Sequence, residues 1–155
     1  MAKKPRLLYV EDSQMDVNTV VCALRSRFEV ESVQTISEAI AAVSERTYDA
    51  VLLDLQLPDA RGVDAFLRLR KEFDAVYEER IPIIVYSANI SSTVLSALVN
   101  SGCRYILVKA DYRGERLSEE IAKAILLATI QQAGVVLEKC YQDNGVLEKG
   151  RSPVS

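Results

Sequence analysis

Residues 50–54 read AVLLD: four apolar residues, Ala50 to Leu53, with no polar interruption, and then the carboxylate of Asp54. A strand with one face in water alternates apolar and polar residues. A short unbroken apolar run is the pattern of a strand covered on both faces, as in a parallel sheet. Parallel strands require crossovers, usually helical, and right-handed crossovers distribute those helices over both faces of the sheet. The flanking segments meet that requirement. Arg6–Val10 (RLLYV) reads as a strand, and Gln14–Phe28 as a helix with Val17, Val20, Val21 and Leu24 at helical spacing. Glu29–Val33 alternates like a half-exposed strand, and residues 37–46 form a second helix with Thr35 or Ser37 as its cap. After Ala50–Leu53 the spacing predicts a helix over 63–73, fraying towards Tyr77. Next comes a strand over 81–86, with Pro82 tolerated near its beginning. Residues 92–101 read as a helix stopped by Gly102, 104–108 as a strand and 117–132 as a helix. Five βα units in succession predict an α/β fold, a doubly wound sandwich around a five-stranded parallel sheet.

The whole chain is 155 residues with 49% hydrophobic content, enough for one domain and a proper core. That domain is expected over residues 1–132. Residues 133–155 are a C-terminal extension: VVLEKCYQ keeps a helical pattern, DNG signals a turn, and KGRSPVS reads as disordered. A net charge of −3 gives no global basic field, so direct nucleic-acid binding is not expected. The apolar stretch near the N-terminus is too short for a secretory leader, and no run reaches membrane-spanning length; a cytoplasmic protein without membrane insertion is expected. Cys22, Cys103 and Cys140 lack metal-type spacing and read as idle thiols in a reducing compartment. Histidine is absent, which removes Ser-His-Asp triads, Cys-His nucleophiles and histidine phosphocarriers together.

In open α/β sheets ligands bind at the carboxyl ends of the strands. Glu11 and Asp12 follow the first strand, Asp54 the third, Ser87 the fourth and Lys109 the fifth. Each has a plainer reading: Asp12 or Ser13 as a helix cap, Asp54 as a polar exit from the core, Ser87 as an ordinary strand-end hydroxyl, Lys109 as a solvated lysine. Together they place three carboxylates, a hydroxyl and an ammonium in one crevice. Crowded carboxylates repel unless a divalent cation neutralises them, and hard oxygen ligands suit Mg²⁺. An Asp in such a setting can attack a phosphoryl group to give an aspartyl phosphate, with transfer aided by positioning and charge neutralisation.

The segment D54-L-Q-L-P58-D-A-R-G62 resembles the phosphoacceptor loop of bacterial two-component response-regulator receiver domains (the CheY-like superfamily). The pair Glu11-Asp12, the YSA at 86–88 and Lys109 match that family in order and approximate spacing, over about residues 5–132. The resemblance implies a flavodoxin-like strand order 2-1-3-4-5 and a stand-alone phosphorylation-activated switch. It implies that Asp54 is the phosphoacceptor, and that Glu11, Asp12, Asp54 and the backbone carbonyl of Gln56 hold Mg²⁺. Ser87 and Lys109 would sense the phosphoryl group, with Gln56 and Asn89 flanking the site. The implied partners are a histidine kinase or phosphotransfer protein and a downstream protein target. Only self-phosphorylation and autodephosphorylation chemistry is implied, so the chain is not expected to be a metabolic enzyme.

The chain departs from the family pattern in two places. Ala110 follows Lys109 where proline, often with a cis bond, is usual; a non-proline cis bond costs roughly 3 kcal/mol, so a trans Lys109–Ala110 bond is expected. The usual switch-aromatic position holds Ile106, with Tyr105 one residue earlier and therefore pointing to the opposite face. The segment DAVYEERI is long and acidic and reads as a solvated loop. The last helix carries apolar residues on more than one face, including Ile121, Ile125, Leu126, Ile130 and Val135. A homodimer through the fourth and fifth helices is expected from that pattern. Two rival readings remain: a degenerate receiver acting as a phosphorylation-independent interaction module, and an Asp-nucleophile phosphohydrolase of the haloacid-dehalogenase type. The second requires a D-x-D pattern, and the second position here is Gln56.

Overall fold

A computed structural model describes residues 3–76 and 81–144. The chain runs β1 (Arg6–Val10), α1 (Gln14–Leu24), β2 (Glu29–Val33), α2 (Ile36–Glu45), β3 (Ala50–Leu53), α3 (Val63–Val76), β4 (Ile83–Ser87), α4 (Ser92–Asn100), β5 (Tyr105–Val108) and α5 (Gly114–Asn144). The five strands form one sheet in the order β2-β1-β3-β4-β5, and every neighbouring pair is parallel. The expected doubly wound fold and its strand order are therefore present.

The alternation of side chains along each strand divides the core in two. One face of the sheet packs Leu8, Val10, Val51, Leu53 and Val85 against Ile36, Val43, Phe66, Leu69 and Leu98 from α2, α3 and α4. The other packs Leu7, Tyr9, Leu52, Ile84 and Tyr86 against Val17, Val20, Leu24, Leu117 and Ile121 from α1 and α5. All four residues of β3 are buried, as the run AVLL requires of the central strand. Strand β2 sits at one edge and is correspondingly half-exposed.

Several boundaries differ from expectation for local reasons. Helix α1 stops at Leu24, and Phe28, expected to end that helix, instead turns back to fill the α1/α5 core while its N–H reaches Leu24 O at 2.9 Å. Strand β4 begins after Pro82 rather than at Ile81. Proline has no N–H to give to the ladder, but its carbonyl still accepts from Val51 N at 3.0 Å. Gly102, at φ 87, ends α4 as expected, with Cys103 N donating to Leu98 O at 2.9 Å. Helix α3 continues to Val76; part of the acidic loop that follows it lies outside the described residues. The largest difference is α5. It starts at Gly114 and runs 31 residues, so position 132 falls inside it and residues 133–144 continue the same helix rather than forming a short element of their own. The expected tail beyond Asn144 lies outside the described residues.

Candidate functional site

The backbone ladder carries each candidate side chain to one end of the sheet. Beyond the strands proper, Glu11 N still bonds Val33 O at 2.9 Å, Asp54 N bonds Val10 O at 3.0 Å and Lys109 N bonds Ser87 O at 2.9 Å. These last rungs fix the side chains before the chain turns into the loops. Glu11, Asp12, Asp54, Gln56, Ser87 and Lys109 consequently line a single crevice, together with Ser13, Asp16 and Arg61.

The ambiguity over the cap of α1 is resolved. Ser13 is the N-cap, its Oγ accepting from Asp16 N at 3.3 Å. Asp12 is exposed at the mouth of the crevice. Glu11 is the opposite case, with only 1% of its surface exposed. Its carboxylate accepts from Tyr9 Oη and from Ser13 N, both at 3.2 Å, and pairs with the Lys109 ammonium. Burial raises the Glu11 pKa and repulsion from Asp54 adds to the rise; Lys109 opposes both without cancelling them.

Asp54 is buried at the end of β3. Its Oδ1 accepts from Leu55 N at 2.8 Å and from Ser87 Oγ at 3.2 Å, while its Oδ2 lies 3.9 Å from Lys109 Nζ. Lys109 itself pairs with Glu11 and, at 2.8 Å, with Asp16 Oδ2, and its ammonium stands 5.8 Å from the centre of the Tyr86 ring. Burial alone would lower the lysine pKa. The hydrogen bonds to Asp16 and Glu11 outweigh it, so the net direction is upward and the side chain is a firm cation.

Glu11, Asp12 and Asp54 can each offer one oxygen, and these oxygens lie within 4.8 Å of one another. Hard oxygen donors at that separation, two of the three carboxylates buried, fit a small divalent cation such as Mg²⁺. The loop after Asp54 keeps its shape through Gly62. At φ 60 this residue occupies a region that side chains disfavour, and its N–H donates to Leu55 O at 2.8 Å. Gln56 lines the crevice and pairs with Arg61 across the loop. Asn89 is exposed two residues beyond Ser87, outside the residues that line the crevice.

The two departures from the family pattern also have defined places. No cis peptide bond occurs among the described residues, so Lys109–Ala110 is trans as expected. Ile106 packs against the α2/α3/α4 core, and Tyr105 against the α1/α5 core. Adjacent residues thus face opposite sides of the sheet, and Tyr105 does not substitute for an aromatic at 106.

Sequence reasoning missed Tyr9 and Asp16. The only sequence signal for Asp16 is an acidic residue in the first turn of the helix that follows the acidic pair. For Tyr9 it is a buried phenol two residues before Glu11, on the same side of the strand.

A family model described as the response regulator receiver domain matches residues 7–122. The chain is 33% identical over 121 residues to a gliding motility regulatory protein of Myxococcus xanthus, covering 77% of this chain and 15% of that protein. It is 29% identical over 118 residues to the CAI-1 autoinducer sensor kinase/phosphatase CqsS of Vibrio cholerae, covering 76% of this chain and 17% of that protein. The chain thus spans under a fifth of the length of these relatives. Among solved structures, a CheY-like response regulator receiver domain from Methanospirillum hungatei superposes with TM-score 0.71 at 20% identity, over 83% of this chain and 99% of that one. The signal receiver domain of an HD domain-containing protein from Pseudomonas fluorescens gives 0.73 at 13% identity, over 86% and 95%. At those identities the structural likeness concerns the fold alone.

Proposed function

Because the chain belongs to the response regulator receiver domain family of two-component systems, we propose that it is a phosphorylation-activated switch with Asp54 as its phosphoacceptor. The observation that carries this reading is the division of labour at the Asp54 carboxylate. Oδ1 is held by Leu55 N and Ser87 Oγ, while Oδ2 faces Lys109 at 3.9 Å in a crevice that Asp12 and Glu11 share. The carboxylate is thereby oriented, and the Lys109 ammonium beside it can neutralise charge on an incoming phosphoryl group.

Glu11, Asp12 and Asp54 would hold Mg²⁺, with the Gln56 carbonyl completing the set; the ion supplies charge neutralisation at the phosphoryl oxygens. An oxygen of Asp54 forms a bond to phosphorus as the bond from phosphorus to the donor's nitrogen or oxygen breaks. Ser87 and Lys109 can then exchange their present carboxylate partners for phosphoryl oxygens. That exchange favours one of two conformations and shifts their populations.

The donor in this reading is a histidine kinase or phosphotransfer protein, and the output is contact with a downstream protein target in the cytoplasm. No helix among the described residues is long and apolar enough to cross a membrane. The domain acts as a switch rather than as a metabolic enzyme. A homodimer through α4 and α5 is supported by exposed Leu95 and Val99 on α4 and exposed Leu126, Leu127 and Ile130 on α5. Incubation with acetyl phosphate and Mg²⁺, read by intact mass, tests the central claim. A phosphoryl adduct that disappears in Asp54→Asn supports the switch. No adduct favours a degenerate interaction module, and turnover of external phosphomonoesters favours a hydrolase.

A further inference from the structure

The ammonium of Lys109 lies closer to two other carboxylates than to that of Asp54. It lies 3.9 Å from Asp54 Oδ2 but 2.8 Å from Asp16 Oδ2, and it pairs with Glu11 as well. Asp16 belongs to the first turn of α1, where Ser13 Oγ fixes its backbone N–H at 3.3 Å. The carboxylate is therefore mounted on a capped helix and not on a loop. It is 43% exposed, whereas Lys109 is 13% exposed, so the pair joins a half-exposed carboxylate at the crevice to a lysine that stays largely buried. Asp16 lies outside the group of carboxylates whose oxygens gather closely enough to share a cation, which comprises Glu11, Asp12 and Asp54. A divalent ion among those three leaves Asp16 as a counter-charge for the lysine alone.

We propose that Asp16 is a positioning residue that restrains Lys109 in the unphosphorylated protein, so that a phosphoryl group on Asp54 must win the ammonium from it. The proposal rests on Asp54 being the acceptor. Breaking the Asp16–Lys109 pair then becomes part of the cost of activation, and weakening the pair shifts the protein towards the activated arrangement. An acidic residue in a first helical turn also stabilises the helix through its dipole. A purely structural role of that kind would alter stability and leave phosphoryl recognition unchanged.

Beryllofluoride at saturating Mg²⁺, titrated calorimetrically into the wild type, Asp16→Asn, Asp16→Glu and Asp54→Asn, separates these roles. The wild type should bind and Asp54→Asn should not. Asp16→Asn should bind beryllofluoride roughly threefold to fivefold more tightly, the scale of a partly exposed ion pair. Asp16→Glu, which keeps the charge, should stay close to the wild type. An Asp16→Asn affinity equal to or weaker than that of the wild type overturns the proposal, whether or not its thermal stability changes. So does a large loss of Mg²⁺ affinity in Asp16→Asn measured without beryllofluoride, because it would put Asp16 in the ion's coordination shell. If the wild type itself fails to bind, the acceptor reading falls and the proposal with it. If the wild type binds and Asp16→Asn matches it, the proposal alone falls.

Discussion

Cys103 and Tyr48 are buried residues whose protons the fold retains. Burial pushes the Cys103 thiol up to about 11, and burial together with the hydrogen bond to Glu31 pushes the Tyr48 phenol up to about 12. For an acid with a raised native pKa, the native state binds more protons than the unfolded chain in the window between the two values. Stability therefore falls as pH rises through that window. Lys109 acts in the same direction, since an ammonium with a raised pKa loses its contribution at high pH. Denaturant midpoints should accordingly drop as pH rises from about 8.5, the ordinary thiol value, to about 12, the value held by Tyr48; a flat profile over that range would show that these groups are not held as described. At this scale the sequence was informative wherever chemistry coincides with a strand end. Asp54, Ser87 and Lys109 each follow directly on an apolar run, and the fold brings them together. The Asp16–Lys109 pair was not legible, because 93 residues separate its members and they meet only where the segments after β1 and β5 converge on one crevice.

Helix α2 shows the same limit at the scale of an element. Its N-terminus carries the expected Thr35 cap, with Thr35 Oγ accepting from Glu38 N at 3.0 Å. A second cap comes from the phosphoacceptor loop: Asp59 accepts from Ile36 N at 3.0 Å and from Ser37 N and Oγ at 3.1 Å. Burial nudges the Asp59 pKa upward, but the bonds from Ile36 and Ser37 outweigh it and hold the carboxyl below its ordinary 3.8. Asp59→Ala should destabilise the protein by about 1 kcal/mol at neutral pH, the usual worth of a cap. A depressed carboxyl stabilises above its unfolded pKa and loses that contribution on acidification, so the gap between variant and wild type should narrow below the ordinary Asp value. Urea denaturation of both proteins at neutral and acidic pH checks the size and the sign. Thr35 was legible because its partner is three residues away. Asp59 was not, because its partners precede it by 22 and 23 residues and meet it only when β3 lies beside β1.

For the molecule as a whole, the unbroken run AVLL was sufficient to anticipate a covered central strand and the layers around it. The length of α5 was not, since GVVLEKCYQDN contains both a glycine and a turn signal, and a helix nevertheless runs through to Asn144. Sedimentation velocity of the full chain, with and without beryllofluoride and Mg²⁺, should reveal a dimer built on α4 and α5; a monomer at high concentration in both states would remove that arrangement. Helix α5 is one 31-residue rod, about 46 Å long at the standard rise, whereas a five-residue strand spans about 17 Å. It begins five residues after Lys109, beside the crevice. A rigid rod anchored at one end is a lever. The residues that bury it in the core, Leu117, Ile121 and Ala124, all lie in its first half, so a tilt of only about 5° about Ala124 would swing Asn144 through about 2.6 Å, a displacement that whatever meets the far end would register.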